Sequence, residues 1–445
     1  MIENRDQSCV GEKFNNSYDI VIVGGGLVGT SLCLAFAGIA KHYGLSIALL
    51  DAAPIAANEP AAGALDGRAT ALAQGTRNLL HSIDLWQHLS PFAQAISNIK
   101  VSDQGQPLKS DMQAADMQQD ALGYVLQNQT MGQVFLQQIN QRCSDFVQLI
   151  DQAQVISINN ARQNSQLQYH RLSQTVSLTA QLVVMADGGR SDLRQKLGMF
   201  DQVQHYDQVA LVANMQLEQH HQGLACERFT ASGPLALLPL QSFAGQYRAA
   251  LVWTQPLARQ SELKKLTDDQ LLKEIQQHLG YPMGRLCAIG DRQVYPLALN
   301  VAQEQARQGL AVVGNAAHTL HPIAGQGFNL ALRGSFALAQ AVLKACQQGT
   351  PIGDLGNLNE FVETSRWDQN RVISMSDKVM KLFSSKNRHY RAVRQLGLLS
   401  MQQVPLAKSL FTRAAMGLDV PMAEVLAMPT LAPKVISNTN SEAKV

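Results

Sequence analysis

The chain has 445 residues, 46% of them apolar and 16% charged, with a formal net charge of +2. So low a charged fraction points to extensive burial, and the length predicts two or three domains. The balance of charge does not suggest a nucleic-acid partner. The six cysteines, Cys9, Cys33, Cys143, Cys226, Cys287 and Cys346, contain no C-x-x-C pair. A zinc site or a dithiol redox centre is therefore not indicated, and no metal is expected.

Residues 1–16 are polar and lack the apolar stretch of a secretory signal, so a cytoplasmic location is expected. Residues 18–23, Tyr-Asp-Ile-Val-Ile-Val, predict a buried central strand. Residues 27–40 have small and apolar side chains at helical spacing, and 46–50 predict a second buried strand ending at Asp51. The uncharged run 20–40 is long enough to span a bilayer. Gly24, Gly25 and Gly26 sit inside it, and a turn between buried strand and buried helix explains it better. A loop is expected over 52–65, a helix over 67–80 and another over 131–142. Short strands follow over 147–184. Alternating strands over 203–295 predict a sheet with one ligand-facing side, including 209–217 and 249–253. Residues 310–313 read as a further buried strand, 355–418 as mostly helix, and the polar tail as frayed.

Three motifs carry the chemistry. Gly24-x-Gly26-x-x-Gly29 follows the first strand and opens the first helix. Gly24 permits the tight turn, Gly26 lets backbone approach a pyrophosphate, and Gly29 lets helix pack on strand. Asp51 is placed to accept hydrogen bonds from ribose hydroxyls. The second motif runs Asp187-Gly-Gly-Arg-Ser191-Asp-Leu-Arg194, again after a buried strand. The third is Gly314-Asn-Ala-Ala-His318-Thr-Leu-His321-Pro-Ile-Ala-Gly325-Gln326-Gly327-Phe-Asn329. Its glycines, entering a helix, offer N–H groups to phosphate or a carbonyl oxygen.

These motifs together resemble those of flavin-dependent aromatic hydroxylases, and within them the ubiquinone-biosynthesis group (the UbiH/UbiF/VisC group). The resemblance is strongest to the 2-polyprenyl-6-methoxyphenol hydroxylase type and spans roughly 18–418. It also rests on Glu227-Arg-Phe-Thr230, Gly233-Pro-Leu-Ala236, Leu238-Pro-Leu240 and Tyr295-Pro-Leu-Ala298. It implies an α/β fold in which a Rossmann-type FAD domain is interleaved with a β-sheet substrate domain and followed by C-terminal helices. The expected division is 17–98, 125–200 and 290–350 for FAD, 99–124 and 201–289 for substrate, 351–430 helical, and 431–445 frayed. FAD contacts are implied for Gly24, Gly26, Gly29, Asp51, Arg68, Gln127, Asp187, Asn315, Gly325, Gln326, Gly327 and Asn329. Asn315 replaces the family's usual Asp, keeping a hydrogen-bonding amide without charge. Ala331 and Gly334 depart from the usual Gly and Asp.

The resemblance further implies transient NADH or NADPH as reductant, O2 as co-substrate, and a flavin C4a-hydroperoxide that transfers one oxygen to a polyprenylated phenol. No second G-x-G-x-x-G is present, as expected if the nicotinamide binds transiently. His318 and His321 are candidates for proton handling or for orienting their loop. Three other readings stay open: a hydroxylase of another aromatic, a flavin-bound structural member of a biosynthetic assembly, and a Rossmann protein that binds only NAD. Homo-oligomerisation is undecided. Residues 378–418 hold eight Lys or Arg and no acid. With Arg388, Arg391 and Arg394 along one helical side, this suggests docking to an anionic membrane surface or to another biosynthetic protein, and a peripheral place at the inner face of the membrane.

Overall fold

The computed structural model describes residues 16–55, 67–161, 163–189, 192–322, 325–384 and 388–428. Asp66, Arg190, Ser191 and the 431–445 tail lie outside the described residues.

The opening strand Ser17–Val23 ends in four apolar β-branched residues, Ile20 to Val23, and it occupies the middle of a sheet buried on both faces. Five strands run parallel in the order Leu310–Val312, Gln174–Met185, Ser17–Val23, Ile47–Leu50, Val147–Ile150. The sheet thus draws strands from three distant stretches of chain. Helix Leu27–Tyr43 lies on one face with helices Asn128–Arg142 and Gln326–Gln348. Ile20, Ile22, Leu32, Phe36, Phe135 and Phe336 make the centre of that core.

A second, nine-stranded sheet is mainly antiparallel, in the order His318–Thr319, Gln293–Ala302, Asp201–Leu217, Gln246–Pro256, Pro234–Phe243, Leu224–Phe229, Asn98–Asp103, Lys109–Gln113. Strand Leu286–Ile289 pairs beside Asp201–Leu217. Alternation sorts its side chains. Leu211, Met215, Leu235, Leu237, Leu251 and Trp253 pack under helix Asp268–Leu279. Ala225, Leu238, Leu240, Ala250 and Val252 face the other way. A three-stranded sheet, Ala69–Ala73, Gly123–Gln127 and Gln94–Ile96, adds a further pairing layer.

Two expectations are corrected. The stretch 67–80 is not one helix. Ala69–Ala73 is a strand paired with Gly123–Gln127, and helix begins only at Gln74. The small residues allow either state, and cross-strand pairing decides. Within 203–295, Asp268–Leu279 is a helix, started by a capping box. The Gln270 N–H donates to Thr267 Oγ1 at 3.3 Å and the Thr267 N–H to Gln270 Oε1 at 2.9 Å.

The C-terminal helices are Leu355–Ser384, Arg388–Gln403 and Pro405–Ala415. The chain then returns to the first helix. A Cβ on Gly38 would lie 1.9 Å from the Leu426 carbonyl oxygen, so only glycine admits that close approach. Met428 finishes inside the first core. Among the described residues no helix is long and apolar enough to cross a membrane, and 20–40 forms the strand, turn and helix expected of it.

A candidate flavin and substrate cleft

One cleft of about 1920 Å³ runs from the ends of the parallel strands, across the second sheet, to the C-terminal helices. Its first end is made of backbone. Gly24 has φ +112°, and a Cβ there would lie 2.5 Å from the Ala186 carbonyl oxygen. A Cβ on Gly29 would lie 1.8 Å from the Gly24 oxygen. Gly26 differs, because its Cβ would meet nothing within 4 Å: the space in front of it is the cleft.

Two helices open into this end, Leu27–Tyr43 behind Gly26 and Gln326–Gln348 behind Gly325. Neither has a side-chain cap or an acidic residue in its first turn. Their first N–H groups and positive dipole ends are left for a ligand. Beyond its chain neighbours and its own helix backbone, Gly327, like Gly26, would place a Cβ within 4 Å of no atom of the described residues. Asp51 stands at the rim. Its Oδ2 accepts the Gly25 N–H at 2.6 Å and its Oδ1 the Ala53 N–H at 2.7 Å. A carboxylate keeps lone pairs beyond these two bonds. A glycine cradle, two uncapped helix starts and a terminal acid fit the pyrophosphate and ribose of a dinucleotide.

Most of the expected residues meet here. Gly24, Gly26, Asp51, Arg68, Asp187, Asn315, Gly325, Gln326, Gly327 and Asn329 all line the cleft. Gly29 lies behind the cradle as packing. Asn128 lines the cleft rather than Gln127, and it accepts from Thr70 Oγ1 at 2.6 Å. Asn329 commits its amide to backbone: Oδ1 accepts the Ala73 N–H at 2.8 Å, and Nδ2 donates to Ala71 at 2.8 Å and Gly325 at 2.9 Å. It ties the short strand to the start of the helix. Gln326 Nε2 donates to the Ala415 oxygen at 3.2 Å, joining this loop to the last helix. Asp187 Oδ1 accepts the Gly189 N–H at 3.0 Å, which closes the turn of the second motif.

The two histidines separate. His321 lines the cleft, stacked edge-on to Tyr206 at 5.4 Å, while His318 lies outside its lining. Burial pushes both down to about 4, so both are neutral at neutral pH. Both ring nitrogens of His321 are buried without a partner among the described residues.

The other end of the cleft is a sheet face. Val101, Glu227, Ala236, Val252 and Val212 lie abreast on neighbouring strands, with Ala225 and Phe229 flanking Glu227 along its own strand. In the sequence, Glu227 enters only as part of the stretch of resemblance Glu227-Arg-Phe-Thr230. Its signal was visible as one acid in an otherwise apolar alternation, Ala225-x-Glu227-x-Phe229. Beyond the sheet, Met401 and Phe411 close the lining.

Arg394 corrects the expectation for the basic tail. It is buried, not on an outer face. Its Nε donates to Asp103 Oδ2 at 3.0 Å and its Nη1 to the Leu382 oxygen at 2.8 Å. Lys408 pairs with Asp116 at 2.6 Å. Among the described residues, the last two helices expose the apolar Val393, Leu396, Leu406 and Leu410 beside the polar His389, Gln402, Gln403 and Arg413.

The FAD binding domain family matches residues 17–351. Ubiquinone hydroxylase UbiL of Rhodospirillum rubrum is 32% identical over 402 residues, covering 90% of this chain and 89% of that protein. The 3-demethoxyubiquinol 3-hydroxylase of Escherichia coli is 28% identical over 408 residues, covering 91% and 100%. Among solved structures, p-nitrophenol 4-monooxygenase PnpA from Pseudomonas putida shares the fold, with a TM-score of 0.74 at 18% identity over 89% of this chain and 97% of that one. With the cradle and the cleft, these likenesses make the chain a member of the FAD binding domain family, an FAD-dependent monooxygenase of the ubiquinone-biosynthesis hydroxylase group.

Proposed function

We propose that this protein hydroxylates the aromatic ring of a polyprenylated phenol, taking two electrons from NADH or NADPH and one oxygen atom from O2, the other leaving as water. The observation that carries this reading is the continuity of the cleft. A dinucleotide cradle and a broad apolar sheet face share one cavity, so a ring on the sheet would have access to a flavin whose phosphates the cradle would hold. Bound FAD supplies the electron storage and oxygen activation that side chains lack.

The chain's own residues do the rest. The N-termini behind Gly26 and Gly325 would hold the anionic and carbonyl groups of the cofactor. Asp51 would take the adenosine ribose, and Asn315 and Asp187 would provide polar contacts along the cleft. Asn329 and Gln326 keep the third motif's loop in place through backbone bonds. Val101, Val252, Leu238 and Phe229 exclude water from the ring and the start of its prenyl chain. His321, held neutral, adds no charge to this space.

Names and likenesses support the substrate class through UbiL and 3-demethoxyubiquinol 3-hydroxylase. The exposed leucines of the last helices adjoin cleft-lining Val393, Gly397 and Phe411. They suit delivery of a lipid-borne phenol at a membrane surface, and binding to liposomes that persists at high salt would support that route. The function itself is tested by NAD(P)H oxidation with 2-geranyl-6-methoxyphenol and with unprenylated phenols. Stimulation and ring-hydroxylated product with the prenylated compound alone support the proposal. Preference for another aromatic, or no turnover by flavin-loaded protein, overturns it.

A further inference from the structure

Glu227 has no structural occupation. It projects from strand Leu224–Phe229 onto the cleft face of the sheet, between Val101 and Ala236 on the neighbouring strands. Among the described residues it makes no hydrogen bond and no ion pair. It is partly exposed and lines the cleft. The nearby charges are otherwise engaged or turned away. Asp103 and Arg394 pair with each other, Lys100 is exposed, and Arg228 donates to the Leu279 oxygen at 3.0 Å on the opposite face. Arg68, Tyr295, His321 and Arg371 also line the cleft, Tyr295 packed with Val212 and Val252. Burial alone pushes the Glu227 carboxyl up to about 7, with no charged neighbour contributing.

An unpaired carboxyl on an apolar face weakens the fold, and a methyl-bearing residue in its place would pack better. Such a group is accounted for when a ligand supplies the missing partner. A phenol has one hydroxyl and is otherwise apolar, which matches one acid in a field of valine, alanine and phenylalanine.

We infer that Glu227 is a catalytic residue, which receives the phenolic hydroxyl of the substrate and accepts its proton as the ring is oxygenated. This rests on the proposed phenol hydroxylation. The phenolic O–H bond breaks, the proton joins the carboxylate, and the electron pair left on oxygen enters the ring, which forms the new C–O bond as the O–O bond of the reduced dioxygen breaks. The ring carbon then loses its own proton to the oxygen atom that departs as water, and the phenolic oxygen takes the proton back from Glu227. The carboxylate is regenerated, and O2, with the two electrons of NADH or NADPH in the proposed reaction, is the only oxidant needed.

The test compares FAD-loaded wild type, Glu227→Gln and Glu227→Asp. Glutamine keeps size and fold, and removing an unpaired acid leaves the melting temperature unchanged or raises it at mildly alkaline pH. With 2-geranyl-6-methoxyphenol, wild-type product formation falls as pH drops below about 7, where Glu227 is protonated. Glu227→Gln is slower by about 10²-fold or more at mildly alkaline pH and loses that inflection. Glu227→Asp keeps an inflection. A Gln variant with the wild-type rate and profile overturns the inference. If wild type leaves this phenol untouched, the substrate class fails instead, and binding of 4-nitrophenol to the oxidised holoenzyme still decides the role of Glu227. An ionised Glu227 holds the bound probe protonated to higher pH than in solution, seen in the nitrophenolate absorbance. That upward shift disappears in Glu227→Gln, and an identical shift in both proteins contradicts the inference.

Discussion

The two ends of the cleft are built by opposite means. At the cofactor end, backbone does the work. Glycines clear the space, and two helices start without side-chain caps where they open on the cleft. At the substrate end, side chains from neighbouring strands of the second sheet make an apolar face with one acid unpaired among the described residues, and a buried ion pair fastens a C-terminal helix beside it. Helix Asp268–Leu279, on the far side of the same sheet, has the full cap that the cleft helices lack. A helix start spent on a ligand and one spent on stability are therefore distinguishable within one molecule.

The substrate end is the easier to weaken. Arg394→Met strands Asp103 in a buried site and costs about 3–5 kcal/mol in unfolding free energy. The account expects the surviving folded protein to keep its flavin, because the pair lies away from the cradle. Loss of flavin in parallel with the lost stability contradicts the separation of the two ends. At the cofactor end two neighbouring glycines should part company. Gly29→Ala forces a methyl against the Gly24 oxygen and costs about 3 kcal/mol or more. Gly26→Val meets only open cleft, so the apoprotein should melt as wild type does while flavin, measured by absorbance after purification, is lost. Full flavin in folded Gly26→Val removes the cradle assignment.

The buried histidines sharpen the contrast through pH. His318 and His321 have folded values lowered from 6.5 to about 4. The unfolded chain therefore binds protons first as pH falls, and stability drops between those values, by up to about 3 kcal/mol for each histidine. Below about 4 the loss stops growing. Urea unfolding across that range should show a steeper fall for wild type than for a His318→Asn, His321→Asn double variant. Parallel curves contradict neutral burial. The smallest effect belongs to the capped helix: Thr267→Ala costs about 1 kcal/mol and leaves flavin content unchanged.

The cofactor end was legible because its information is local. Gly24, Gly26, Gly29 and Asp51 lie on one strand–turn–helix–strand unit, where spacing along the chain is spacing in space. The substrate end is written across the chain. Arg394 and Asp103 are 291 residues apart, and nothing near Arg394 in sequence distinguishes it from a solvated arginine. Glu227 acquires meaning only once Val101 and Ala236 are its neighbours. Ala69–Ala73 reads as helix because alanine favours it, and its pairing with Gly123–Gln127 overrides that preference. The helix at 268–279 was readable. Thr267 and Gln270 form its start signal, and Leu271, Ile275 and Leu279 recur at helical spacing on its buried side.

The most direct test of the account is isotopic. FAD-loaded protein is given a nicotinamide reductant, 2-geranyl-6-methoxyphenol and heavy-oxygen-labelled O2, and the phenol is analysed by mass spectrometry. The account predicts a ring-hydroxylated product carrying one labelled atom, with reductant consumed in step with it. Reductant oxidised only to hydrogen peroxide, at a rate the phenol does not change and with no labelled product, would contradict it.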